Sequence, residues 1–166
     1  MRVLVVSDTH VAAAQVPWLL ELLRPHLDGV THILHAGDAV SAELYDRLSE
    51  LAEVHAVAGN MDPDEVRERW PAQDVLELGG RRVGIIHGWG GPQDLPRRVR
   101  ERFQGPDGRV PLDVLVFGHS HQPLVEKRDG LLLLNPGSPV DQRFAPYRSV
   151  AELDLERLTA RLIRLG

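Results

Sequence analysis

The chain has 166 residues, no cysteine and a formal net charge of −5. That length suffices for one domain with its own core, the lack of thiols excludes disulfides and thiolate metal sites, and the acidic balance argues against a surface built to hold nucleic acid. The content of 43% hydrophobic and 26% charged residues is that of an ordinary globular protein, and the opening apolar run of MRVLVVSDTH stops at Asp8, too short for a signal peptide or a membrane anchor. The resulting expectation is a single domain over residues 1–166, cytoplasmic, with no membrane contact and no stable nucleic-acid partner; homo-oligomerisation is compatible with the composition.

Taken in chain order, apolar runs predict strands at 2–7, 31–36, 53–57, 74–78, 81–87, 113–117, 123–128, 130–134 and 148–155. Amphipathic patterns predict helices at 16–24, 41–50 with Ser41 as N-cap, 63–69 and 94–102. The first half alternates strand and helix and the second half is mostly strand. This order fits an α/β core that begins with parallel βαβ units and finishes in antiparallel strands.

Polar residues cluster where these strands stop. SDTH follows the first strand, with Asp8 and His10 at i and i+2; HAGDAV follows the second, with Asp38; AGNMD follows the third, with Asn60. IIHGWGG ends another apolar run with His87, and VFGHSH ends a further one with His119 and His121. Ligands of open α/β sheets bind in the crevice at the carboxyl ends of the strands, so these five segments are expected to converge. On extended backbone residues two apart share a face, which would aim each pair at one object, and a metal ion is a candidate for that object. Without thiols any metal must sit on imidazole, carboxylate and amide, a set that suits Mn, Fe, Ni, Co or Zn.

The ordered succession D-x-H, G-D, G-N, H-G and G-H-x-H from residue 8 to 121, joined by NPGS at 135–138, resembles the calcineurin-like metallophosphoesterase superfamily, and in particular its small single-domain bacterial and archaeal phosphodiesterases. The resemblance implies a four-layer αββα sandwich of two mixed β-sheets flanked by helices, with a dinuclear metal site at the sheet edge. By position, it implies one ion on Asp8, His10, Asp38 and His121 and a second on Asp38, Asn60, His87 and His119, with Asp38 bridging. The implied cofactor is a pair of divalent ions, Mn2+ first, with Ni2+, Fe2+, Co2+ and Zn2+ as ions the same ligands accept. The implied activity is hydrolysis of a small phosphodiester by a metal-bridging hydroxide attacking phosphorus in line, with Asp38, Asn60 and His119 as the residues on which catalysis depends.

One position departs from the broader superfamily, whose third motif commonly reads G-N-H. Here Met61 follows Asn60, and a thioether neither donates a proton to a leaving oxygen nor binds phosphate. The expectation is a preference for leaving groups that need no proton, and for diesters over dianionic monoesters. Phosphomonoester hydrolysis and nuclease action remain the alternatives at the same site. The superfamily fold also serves as a non-catalytic scaffold in the retromer coat, so fold alone does not separate enzyme from scaffold.

Further residues near the motifs carry two readings each. Asp62, in DPDE, reads as the N-cap of a capping box ahead of the 63–69 helix, with a role in orienting the metal site as the second reading. His35 lies close enough to Asp38 to donate to it. Trp89 reads as packing first and as a stacking surface for a base or aryl group second. RRVRER at 97–102 reads as the wet face of a helix rather than a phosphate clamp, His26 and His55 read as ordinary solvated or core-satisfied histidines, and His32, three residues before His35 on the predicted strand, faces the side opposite to it.

Overall fold

The computed structural model describes residues 1–166. Strand β1 (Arg2–Val6) is the centre of the first sheet, parallel to β2 (His32–His35), which is in turn parallel to β3 (Glu53–Ala56) at the edge. On the other side of β1 the chain returns at its end as β9 (Ser149–Asp154) and β10 (Thr159–Arg164), both antiparallel to their neighbours. The second sheet has the order β4 (Gln73–Leu78), β5 (Arg81–Ile86), β6 (Val114–Val116), β8 (Leu131–Asn135), β7 (Leu124–Arg128). Its three inner strands are parallel and its two edges antiparallel, so both sheets are mixed.

The alternation of side chains along each strand builds the layers. In β1, Val3 and Val5 point between the sheets, where they meet Leu34, Val83, Val114, Leu132 and Leu153, while Leu4 and Val6 point out to helices α1 (Val16–Leu23) and α2 (Ala42–Ser49). In the second sheet Leu115, Leu131 and Leu133 point outward beneath α4 (Leu95–Arg102). Strands buried on both faces must be apolar at every position, which is why RVLVV and LLLL read as continuous runs rather than alternating ones. Each fully buried Leu or Val in these layers contributes about 1.5–3 kcal/mol. The result is the four-layer sandwich the resemblance implies.

The structure departs from the sequence expectations at three places. A tenth strand, β10, was not expected: TARLIR carries only a weak alternation, and its pairing comes from a hairpin that turns through Leu158 at φ 53°. Helix α3 (Asp64–Arg69) has Pro63, extended, at its N-cap position and no side-chain cap, because the Asp62 carboxylate is turned the other way. Arg98 of the RRVRER helix does not simply face water, because its guanidinium donates to the carbonyls of Trp89, Gly91 and Gln93 and fixes the loop after β5.

Candidate metal centre

All seven residues proposed as ligands lie on loops at the carboxyl ends of strands β1, β2, β3, β5 and β6, and these loops are stitched together by backbone bonds. The Asp8 amide donates to Gly37 O (2.9 Å) and the His10 amide to Asp38 O (3.0 Å), so the β1 and β2 loops continue side by side beyond the sheet. Gly118 N–H donates to His87 O at 3.0 Å and joins the β5 and β6 loops. The loops approach so closely that side chains are excluded at two points: a Cβ on Gly59 would overlap the Asp38 carboxylate, and one on Gly118 would overlap Ser7 Oγ.

Extended geometry does not account for the D-x-H and H-x-H pairs. Asp8, His10, Asp38, His119 and His121 all have left-handed backbone, with φ of 54°, 42°, 57°, 69° and 59°. The strands stop before each pair, and the chain coils through tight turns that aim the side chains inward. The expected common face is replaced by convergence from coiled loops.

Asp8 has no exposed surface, and its two oxygens are treated differently. Oδ2 accepts hydrogen bonds from Ser7 Oγ (2.7 Å) and the His119 amide (3.1 Å). Oδ1 is buried without a hydrogen-bond partner and faces three imidazole nitrogens: Nε2 of His121 at 3.3 Å and Nε2 of His10 and His87 at 3.8 Å. Asp38 is arranged similarly. Its Oδ1 accepts the Met61 amide at 2.8 Å, and its Oδ2 lies 3.1 Å from His87 Nε2 and 3.7 Å from His10 Nε2. Asn60 Oδ1 completes the far side, 3.0 Å from His87 Nε2 and 3.2 Å from His119 Nδ1.

Three of the four imidazoles are held by their other nitrogen. His87 Nδ1 donates to Ala36 O (2.7 Å), His119 Nε2 to Gly90 O (2.7 Å) and His121 Nδ1 to Asp141 Oδ2 (2.8 Å). This arrangement fixes the orientation of these rings and leaves the remaining nitrogen of each directed into the cluster, as metal-ligating histidines require. Asp141 was not singled out in the sequence; it follows the NPGS turn with no motif of its own, and only the fold brings it to His121.

The electrostatics are those of an anionic cradle lined with bases. Burial disfavours the charge of Asp8, but its contacts with His10, His121 and His87 outweigh that and hold its carboxyl well below the usual range. Asp38 is lowered in the same manner, against burial, chiefly by His87. Burial also opposes a charged His87, yet Asp38 and Asp8 raise it to about 9. His121 is likewise raised, against burial, by Asp8 and Asp141. The ligand atoms fall into two groups, each within 4.8 Å: Asp8, His10 and His121, and Asp8, Asp38 and His87. A buried carboxylate oxygen without a hydrogen-bond partner, ringed by imidazole nitrogens, is the chemistry of a divalent cation site.

The neighbouring residues divide. Asp62, 4% exposed, accepts the amides of Asp38 (2.9 Å) and Gly59 (2.7 Å) on Oδ2 and that of Val40 (2.8 Å) on Oδ1, so it ties the β2 loop to the β3 loop. His35 is fully buried and does not donate to Asp38: its Nδ1 accepts the Gly37 amide (3.1 Å) and its Nε2 meets Thr9 Oγ1 (3.0 Å). Burial lowers its pKa to about 4, so the ring is neutral. Of the NPGS residues, Asn135 donates to Gly118 O and Ser138 to Asp8 O, fixing the loops without touching a ligand atom.

Two cavities flank the cluster. One, of about 580 Å3, opens over His10, Asp38 and His121 and is rimmed by Met61 and Arg143. The other, of about 440 Å3, runs from Asn60 and His87 past Trp89 to Arg67 and Arg102. Trp89 is 45% exposed in that wall, so part of its ring is packed and part faces the cavity.

A family model described as the calcineurin-like phosphoesterase superfamily domain matches residues 1–158. The chain belongs to this superfamily. A probable metallophosphoesterase from Methanothermobacter thermautotrophicus is 37% identical over 169 residues, spanning all of this chain and 94% of the relative. Among solved structures, an archaeal phosphodiesterase superposes with a TM-score of 0.76 at 22% identity, covering 99% of this chain and all of the other, a likeness of fold. Vps29 from Entamoeba histolytica in complex with Zn2+ is 27% identical with a TM-score of 0.67, covering 99% of this chain and 98% of the other. The superfamily is metal-dependent, and the clusters around Asp8 and Asp38 are its candidate metal-binding residues here. No helix is long and apolar enough to cross a membrane.

Proposed function

We propose that this protein is a phosphodiesterase acting on a small diester with two divalent ions, Mn2+ first among them. The ligands would be Asp8, His10, Asp38 and His121 for one ion and Asp38, Asn60, His87 and His119 for the other. The observation that carries the proposal is the pair of inward carboxylate oxygens, Asp8 Oδ1 bare among three imidazoles and Asp38 Oδ2 between His10 and His87. Bound there, two divalent ions supply Lewis acidity, which makes water a nucleophile at neutral pH and offsets charge developing on the phosphoryl oxygens.

The chain's own residues do the positioning. Asp141, Ala36 O and Gly90 O orient the imidazoles, so little reorganisation is needed as charge builds on phosphorus. The larger cavity receives the phosphoryl group. Trp89, Arg67 and Arg102 line the adjoining cavity, where they offer a stacking face and positive charge to one arm of an anionic or aromatic ester. Met61 stands 60% exposed at the mouth and provides no acid, and the nearby Arg143 guanidinium is already paired with Asp141 at 3.0 Å. Neither adds free positive charge for a dianionic monoester, which supports the diester reading.

A scaffold role like that of the retromer subunit has one observation in its favour, the likeness to Vps29. The intact ligand set supports the enzyme. The test is hydrolysis of bis-(p-nitrophenyl) phosphate by metal-stripped protein reloaded with Mn2+, with p-nitrophenyl phosphate alongside. Turnover of the diester, abolished in Asp38→Ala and His119→Ala, is expected. Absence of turnover with any of Mn2+, Ni2+, Co2+, Fe2+ or Zn2+ would overturn the enzyme reading in favour of the scaffold.

A further inference from the structure

The first sheet carries a second cluster of metal-ligating side chains at its opposite rim. The proposed dinuclear centre sits beyond the carboxyl ends of β1, β2 and β3. His32 opens β2, Glu53 opens β3 and stands directly opposite His32 in the parallel register, and His55 lies two residues further along β3. His32 shares a face with Leu34, and Glu53 and His55 share one with Val57; Leu34 and Val57 both pack between the sheets, so the three side chains gather on that face at its edge.

We infer that His32, Glu53 and His55 form a separate site for one divalent ion of the Zn2+ class, fastening edge strand β3 to β2. His32 Nε2 lies 3.3 Å from Glu53 Oε2, and His55 Nε2 lies 3.1 Å from Glu53 Oε1. A tetrahedral zinc with bonds of about 2.0–2.1 Å places its ligand atoms about 3.3 Å apart, and one ligand atom from each of the three side chains already lies within 4.8 Å of the other two, so small side-chain adjustments bring them onto one ion. His32 Nδ1 is 2.9 Å from Thr31 Oγ1, and donation to that hydroxyl leaves the Nε2 lone pair free. His55 Nε2 is buried yet has no hydrogen-bond partner.

The arrangement of the rings separates this from a surface ion pair. The two imidazoles stack nearly parallel, 11° between planes and 5.9 Å between centroids, with a single carboxylate between their Nε2 atoms. Two imidazolium ions so placed would repel each other over one negative charge, whereas one dication takes both rings neutral and the carboxylate together. Two imidazoles and a carboxylate are a set Zn2+ accepts, and the open side at Glu53 leaves a coordination position for water. β3 is an edge strand, and a clip to β2 would protect it from fraying.

The site is independent of the proposed catalytic reading, and the experiment keeps them apart. Metal-stripped full-length protein is loaded with Zn2+ alone, desalted and analysed for bound zinc, in wild type, in Glu53→Gln/His55→Gln, and in Asp8→Ala/Asp38→Ala with and without that pair. The expected result is one equivalent less zinc whenever Glu53 and His55 are replaced, in both backgrounds, with Mn2+-dependent hydrolysis unchanged in Glu53→Gln/His55→Gln. In parallel, the imidazole proton resonances of His32 and His55 are expected to shift with the last equivalent of Zn2+. Equal zinc content with and without the pair, or unmoved His32 and His55 resonances at saturation, overturns the inference. Because the resonances are read on wild-type protein, the outcome does not depend on the variants folding.

Discussion

Asp62 Oδ2 accepts the backbone amide of Asp38 at 2.9 Å, and through that bond a residue outside the ligand set holds the carboxylate at its centre in place. Three amides converge on Asp62, so Asp62→Ala leaves two buried donors and one half-buried donor without partners. The expected cost is about 3 kcal/mol of stability, and roughly 10–100-fold in metal affinity, with Asp62→Asn intermediate because its amide oxygen still accepts. Chemical denaturation and Mn2+ titration of both variants check this; a stable Asp62→Ala protein with unaltered metal affinity would contradict it.

Gly59 is needed for space. Its φ is not left-handed, yet a methyl group there would occupy the position of Asp38 Oδ1. Gly59→Ala is therefore expected to reduce bound metal and hydrolysis at least tenfold while leaving the far-UV circular dichroism of the sheets intact. Elemental analysis alongside the spectrum is the measurement.

Metal uptake should be coupled to proton release. In the metal-free protein His87 titrates at about 9, whereas only a neutral ring ligates. Divalent-ion affinity is then expected to rise with pH up to about 9 and level off above it. For the metal-free fold the sign is opposite: a raised histidine pKa contributes stability fully below the unfolded value of 6.5, and this is lost as pH climbs through 9. Calorimetric titration in two buffers of different ionisation enthalpy detects the released proton.

His35 acts in the other direction. Its ring is neutral and buried with a pKa of about 4, while in the unfolded chain it takes a proton near 6.5. Its contribution is present above 6.5 and lost as pH falls toward 4, at most about 3 kcal/mol. Denaturation midpoints of wild type and His35→Gln between pH 7 and pH 4 should converge as the wild type loses this term. Parallel curves would refute it.

Met61 predicts how rate depends on the leaving group. Without an acid at the cavity mouth, aryl diesters should show a steep fall in rate with rising leaving-group pKa, and Met61→His should flatten that dependence by speeding the poorest leaving groups. A series of substituted phenyl diesters supplies the slope; a flat line in wild type would count against the absence of a general acid.

Patterns repeated along the chain were legible in the sequence. The VLVV and LLLL runs announce strands covered on both faces, and the polar residues after each run announce the rim where the site lies. What escaped was set by distance through the fold. Asp141 meets His121 from twenty residues away with no spacing rule to mark it. Asp62 has every local mark of a helix cap, yet three amides of the site's loops compete for its carboxylate and win. β10 alternates too weakly to stand out, because Ala160 and Leu162 pack between the sheets while the adjacent Ile163 packs on the opposite face, which breaks the period-2 pattern.

Five of the seven proposed ligands sit on left-handed backbone, where a residue with a side chain bears roughly 1–2 kcal/mol of strain each. Glycine would be comfortable at Asp8, His10, Asp38, His119 and His121 and chemically useless there. The rim of this molecule is thus its least restful part, held in tension by the sheets beneath it. Glycine at those turns would relieve the strain and remove the side chains on which the proposed ion site depends, so stability and the proposed chemistry make opposite demands on the same five positions.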